Sequence, residues 1–228
     1  MKAKLLVQIL AVTCLLTTTS CVSFIERVFF RANGSGTYSF SVDMNSMIEM
    51  AGMMGEEMDT DSLMSELNMD ESGTMAKLEA IEGLSNVRPH FDKETNILSM
   101  NFDFDNIKAL NEGISTYLHD STQTEVVQYE FFTLKGKTIE RNNQNLLMDT
   151  FQKSMTQGAS EDDEMSMEFV KMMFSDMYYA VEIGAEEGIK SFKNDEYERK
   201  DENTITWKTY PFDDYKKKEN ISVTIKKK

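Results

Sequence analysis

Leu98-Ser99-Met100-Asn101-Phe102-Asp103-Phe104 is the stretch on which the fold turns. Large apolar residues alternate with small or charged ones, so one face of the segment is buried and the other wet, the period-two signature of a half-buried antiparallel strand. The polar run Asp92-Lys93-Glu94-Thr95-Asn96 precedes it, and Val87 to the N-terminal side begins a second extended segment. Together they predict a hairpin. Downstream the period changes. Ile107, Leu110, Ile114 and Leu118 form a helical stripe that Asp105 is placed to cap.

Working outward, residues 22–30 are largely β-branched and aromatic, and Asn33-Gly34-Ser35-Gly36 supplies a turn. Tyr38, Phe40, Val42 and Met44 then alternate with polar neighbours, which completes a first hairpin. Met75, Leu78 and Ile81 predict a short helix stopping at Gly83. Residues 125–134 and 138–141, joined by Lys135-Gly136-Lys137, predict another hairpin. Helical spacing follows in Leu147, Phe151 and Met155, and again in Met165, Phe169, Met172 and Met173. Strand alternation resumes at Met177, Tyr179, Val181 and Ile183, at Ile205 and Trp207, and at Ile221, Val223 and Ile225. The expected fold class is α+β: an antiparallel β-sheet of about six or more strands with helices packed on one face.

Residues 45–75 stand apart. Of the 18 methionines in the chain, nine fall between Met44 and Met75, so this segment needs its own explanation. Met47, Met50, Met54 and Met58 are at helical spacing behind a Ser46–Glu49 capping pair, while Gly52 and Gly55 weaken the helix. It is expected to be the most mobile part of a single domain over 22–228. Two accounts of the methionines are open: adaptable packing or a pliable partner surface, and a Cu(I) ladder through Met44, Met47, Met50, Met53 and Met54, since soft thioethers select a soft ion.

Residues 1–21 set the compartment. Lys2 and Lys4 give a positive start, residues 5–16 are apolar apart from Gln8 and Thr13, and Thr18-Thr19-Ser20-Cys21 ends the segment. This is the order of a secretory signal, and the apolar run is shorter than the roughly 20 residues of a spanning helix. The final four residues resemble the lipobox of bacterial lipoproteins, with Thr18 where leucine is usual. The resemblance implies lipidation of Cys21. The other cysteine, Cys14, leaves with the signal, so conversion to a thioether also removes an unpaired thiol from an oxidising compartment. A diacylglycerol and an amide-linked acyl chain meet the need for more than one acyl anchor.

Several stretches also resemble uncharacterised bacterial lipoproteins: Asn33-Gly34-Ser35-Gly36-Thr37-Tyr38, Phe91-Asp92-Lys93-Glu94 through Phe102-Asp103-Phe104-Asp105, Thr204-Ile205-Thr206-Trp207 and Ile221-Ser222-Val223-Thr224-Ile225. The pattern is similar to the LppM-type lipoprotein domain. The resemblance implies an α+β fold and a lipid or other hydrophobic ligand, and it carries no catalytic residues. The mature chain has no second apolar stretch of spanning length, so its anchoring differs from that of the domain's better-known members.

Charge and residue counts narrow the chemistry. Loss of Lys2 and Lys4 takes the formal charge from −15 to −17, which disfavours nucleic acid as a partner. The two histidines, His90 and His119, lie in a strand and at a helix end, and no zinc set can be assembled. The 39 acidic residues include no pair singled out by spacing, and the run at 161–164 lacks the ligand pattern of a calcium loop. The reading is therefore a non-enzymatic binding or interaction module without a cofactor, lipid-anchored in the cell envelope with its domain outside the cytoplasm. Its partners are the membrane and either a hydrophobic ligand or an envelope protein. A Cu(I)-binding lipoprotein and a carboxylate-based hydrolase are the alternatives. In the hydrophobic-ligand form, helices bearing Met47–Met58 and Met165–Met173 close over the Leu98/Met100/Phe102/Phe104 face to leave an apolar groove, against a filled core as the simpler arrangement.

Overall fold

The computed structural model describes residues 23–45, 48, 52, 73–119, 126–146, 148–149, 168, 171–172 and 174–228. Eleven strands and two helices occur among them, in the order β1 (Ser23–Phe30), β2 (Gly36–Asp43), α1 (Thr74–Glu79), β3 (Leu84–Asp92), β4 (Ile97–Phe104), α2 (Ile107–Tyr117), β5 (Phe132–Lys135), β6 (Thr138–Arg141), β7 (Tyr178–Ala185), β8 (Ile189–Lys193), β9 (Glu198–Arg199), β10 (Thr204–Thr209) and β11 (Val223–Lys227).

The strands form two sheets. A seven-stranded sheet runs β3-β4-β2-β1-β7-β10-β9, and a four-stranded sheet runs β5-β6-β11-β8. All pairings are antiparallel except β1 with β7, where Phe24 lies beside Tyr179 and Val28 beside Ile183. This corrects the expected architecture. The fold is mostly β, with a mixed sheet and a second sheet where helices alone were expected to cover the first. Alternation along a strand fixes which side chains are buried and leaves open which strand is its neighbour.

β1 is the middle strand of the large sheet. Its inward phase, Phe24, Glu26, Val28 and Phe30, is buried, and the same face continues through Tyr38, Phe40 and Val42 of β2, Leu98, Met100, Phe102 and Phe104 of β4, and Tyr179, Val181 and Ile183 of β7. The β1–β2 turn is held by Asn33, whose Oδ1 accepts from the Ser35 amide and hydroxyl at 3.0 and 2.8 Å, with Gly34 at φ 87°. At Gly36 a Cβ would lie 2.1 Å from the Phe29 carbonyl oxygen and 2.4 Å from the Phe104 ring, so only glycine fits.

α2 covers the β3–β4 side of this face. Its N-cap is Asn106, whose Oδ1 accepts from the Ala109 amide at 3.0 Å, and not the Asp105 expected from sequence. Gly113 faces Phe102, whose ring is 3.0 Å from where a Cβ would sit, so the helix lies close to the sheet. In α1, Met75 and Leu78 are buried, as their spacing predicts. Residues 126–131 form no ladder, although sequence placed a strand there. Two of their amides bond to α2 instead: Ser115 Oγ accepts from Tyr129, and Asn111 Oδ1 accepts from Phe131 and also from Phe132 at the start of β5. The small sheet meets the large one through Phe30 and Phe132, with ring centroids 5.8 Å apart.

Candidate functional site

Most of the candidate lipidation and metal-ligating residues fall outside the described ones. Cys21, Met47, Met50, Met53 and Met54 are among these, as is nearly all of the 45–75 segment. Met44 is described, and it is 2% exposed in the core, with its amide donating to the Asn96 carbonyl. Its thioether packs; it is not presented to solvent. His90 and His119 sit on separate elements, β3 and the end of α2. No group of three or more His, Cys, Asp or Glu able to hold a metal occurs among the described residues, and none of the described helices is long and apolar enough to cross a membrane.

The helices expected to close an apolar groove, bearing Met47–Met58 and Met165–Met173, lie almost wholly outside the described residues. Leu98, Met100, Phe102 and Phe104 are buried, and α2 approaches Phe102 through Gly113. Of the second methionine group, Met172 is 67% exposed, so it belongs to no buried stripe. The described cleft of about 520 Å³ lies at the edge of the small sheet and has polar walls, including Glu140, Asn142, Lys193, Asn194, Asn220 and Ser222. Its asparagines are committed to the backbone. Asn194 Nδ2 donates to the carbonyls of Asn220 and Ser222 at 3.2 and 2.8 Å, and Asn220 Oδ1 accepts from the Ser222 amide at 3.1 Å. These side chains staple loops together.

The chemistry missed from sequence lies between the sheets. Glu26 of β1 and Arg141 of β6 form an ion pair at 3.3 Å with both side chains 2% exposed. The same Glu26 oxygen, Oε2, accepts a hydrogen bond from the Tyr179 hydroxyl of β7. The Arg141 guanidinium lies 5.0 Å from the centre of the Phe132 ring and 5.7 Å from that of Phe131. Tyr197 is close by and donates its hydroxyl to the Ile221 carbonyl at 2.7 Å. Among the described residues, Glu26 Oε1, Arg141 Nε and Nη1, and the Tyr38 hydroxyl are buried without a hydrogen-bonding protein partner.

Burial, and then the Glu26 charge, pushes the Tyr38 and Tyr179 phenols well above their ordinary range. Burial pulls the Arg141 guanidinium down, and the Glu26 carboxylate together with Tyr179, Tyr197 and Tyr38 more than reverses this. The cluster is therefore a guanidinium, a carboxylate and a neutral phenol donor that join three strands from two sheets. It offers no exposed proton donor and no nucleophile. One signal was available in the sequence: Glu26 is in phase with Phe24, Val28 and Phe30, and Arg141 with Ile139. Each is a charge in an apolar phase, but no pattern links two residues 115 positions apart.

Comparison with known proteins adds little. No known protein family and no curated protein matches the chain. Among solved structures, the chain is similar to the folded domain of LppM from Mycobacterium tuberculosis, determined by NMR, with a TM-score of 0.40 and 8% identity over 91% of this chain and 89% of that one.

Proposed function

We propose that this chain is an exported lipoprotein, a non-enzymatic binding module held at a membrane through lipid on Cys21 and facing away from the cytoplasm. One observation carries the reading: the central strand of the large sheet lies immediately after the lipobox in sequence. β1 begins at Ser23, two positions after Cys21, and is paired on both sides along its whole length. Removal of residues 1–20 therefore leaves every residue of β1 and both of its ladders in place. The Glu26 carboxylate is engaged by Arg141 and Tyr179, so it is not free to act as a hydrolytic acid or base.

The test is the mass of the mature N-terminus together with membrane fractionation. The expected result is a diacylated or triacylated Cys21 in the membrane fraction, and a Cys21→Ala variant without the lipid mass that leaves that fraction. An unmodified thiol at Cys21, or a mature chain that keeps Met1, would refute the proposal.

A further inference from the structure

The end of the large sheet at which Ser23 enters carries an unusual grouping of side chains. Ser23 is paired with Tyr178, the first residue of β7, and β10 returns to the same end at Thr209, opposite Tyr179. The Tyr178 and Tyr210 ring centroids are 6.1 Å apart. Lys208 Nζ lies 3.5 Å from the Tyr178 centroid and 4.8 Å from that of Tyr210, and Lys216 Nζ lies 5.1 Å from Tyr210. Tyr215 is 100% exposed at the tip of the following turn.

That turn is built. Asp213 Oδ1 accepts from the Tyr215 and Lys216 amides at 2.9 and 3.2 Å, and Asp213 Oδ2 pairs with Lys216 at 2.8 Å. Thr209 closes the base, its Oγ1 accepting from the Lys218 amide at 2.7 Å. Beneath the turn Phe174 meets Phe212, with centroids 5.7 Å apart, and Lys171 pairs with Asp214 at 2.9 Å. Between Lys208 and Glu219 there are four lysines against Asp213, Asp214 and Glu219, with Lys217 paired to Glu219 at 3.9 Å, which leaves this segment net positive in a chain of formal charge −15.

We propose that this tyrosine–lysine end is the face that lies on the surface of an anionic phospholipid bilayer. The proposal rests on the lipid-anchor reading. One residue, Val22, separates Cys21 from Ser23, two chain steps with a reach of about 7 Å. β7 and β10 are the next two strands from β1, at a spacing of about 4.8 Å each. A bilayer holding the acyl chains of Cys21 is thus within reach of Tyr178, Tyr210 and Tyr215. Tyrosine has an apolar ring and a polar tip suited to the headgroup layer, and lysine lays its stem along apolar surface while its ammonium meets phosphate. Anionic lipid attracts such lysines. The acyl chains hold the domain to the membrane, and this face sets how it stands there.

The experiment uses the full-length lipidated protein in phosphatidylethanolamine–phosphatidylglycerol vesicles with brominated acyl chains. Tyr215→Trp reports from the exposed turn, and Lys135→Trp reports from the β5–β6 turn as a control. Native Trp207 is fully buried and supplies a constant background. The expected result is a blue shift and bromine quenching of the indole introduced at 215 and neither at 135, with the signal at 215 lost on adding Lys208→Gln, Lys216→Gln and Lys217→Gln. Protein that floats with the vesicles but shows no quenching at 215, or equal quenching at both positions, overturns the proposed face and leaves the anchor standing. Protein that fails to float and carries an unmodified Cys21 overturns the anchor, and the proposed face falls with it.

Discussion

Replacing Arg141 by methionine tests the central cluster. The variant strands the Glu26 carboxylate, 2% exposed, in the space between the sheets, with the Tyr179 hydroxyl as its remaining hydrogen-bond donor. At 3.3 Å and an effective dielectric of about 20, the lost attraction is about 5 kcal/mol. Desolvating the two ions costs several kcal/mol each, so the intact pair contributes little net stability. Losing one partner is the expensive change: Arg141→Met and Glu26→Leu should each destabilise the domain by about 3–5 kcal/mol. The double variant Glu26→Leu/Arg141→Met fills the same volume with apolar side chains and should lie within about 1–2 kcal/mol of wild type, on either side. The assay is urea unfolding of the Cys21→Ala background, followed by the fluorescence of Trp207, which is buried and whose indole N–H donates to Glu196 at 3.1 Å. A double variant that loses as much as the sum of the singles would show that the two side chains are energetically independent, contrary to their geometry. A loss below about 1 kcal/mol in Arg141→Met would show that the site is hydrated and not dry.

Two other perturbations are decided by the same structure. Tyr179→Phe removes a donor to a buried carboxylate and should cost about 1.5–3 kcal/mol, whereas Tyr38→Phe removes a hydroxyl without a protein partner and should cost less than about 0.5 kcal/mol. Urea midpoints in the reverse order would refute this assignment of roles. Acid should destabilise the domain. Burial raises the Glu182 carboxyl, but hydrogen bonds from Lys200 and Arg27 pull it below the usual glutamate range; the Glu94 amide and Thr95 lower Asp92, and Lys227 lowers Glu187. A depressed folded pKa gives stability that is complete above the unfolded value and lost as pH falls through the folded one, and Asp149, raised by burial, opposes this weakly. The melting temperature should therefore hold down to about pH 5 and fall below it, less steeply in Glu182→Gln, and a melting temperature that rises on acidification would contradict the assignment.

The strands whose alternation is strongest were legible one by one. Leu98, Met100, Phe102 and Phe104 are all buried, as are Tyr179, Val181 and Ile183, because a period of two identifies a buried face whatever lies beside it. Partnership was not legible. Nothing in Thr138–Arg141 or Val223–Lys227 distinguishes a strand of the small sheet from one of the large sheet, since both have one apolar phase. Residues 126–131 look like a strand because aromatic residues recur there, yet Asn111 and Ser115 of α2 take the amides that a ladder would need. The ion pair was hidden for a related reason. Glu26 follows Ile25 and precedes Arg27 and Val28, so a reading by composition absorbs it into an apolar strand, and only the placement of β6 above β1 gives it a partner.

The position of Glu26 bears on how the proposed anchor would be carried. It is the third residue after Ser23 in a strand whose ladders to β2 and β7 each run the full eight residues from Ser23 to Phe30. A pull on lipid at Cys21 directed along β1 would load both ladders in shear, so their hydrogen bonds must yield together and not one after another. The strand is also held from above, where Arg141 ties Glu26 to the second sheet, and from the side, where Tyr179 ties it to β7. A buried ion pair contributes little net stability, but it fixes which side chain faces which: a one-residue slip of β1 would move Glu26 to the outer face and leave Arg141 buried without its carboxylate. In the lipoprotein proposed above, the strand next to the anchor is thus one whose register is costly to change.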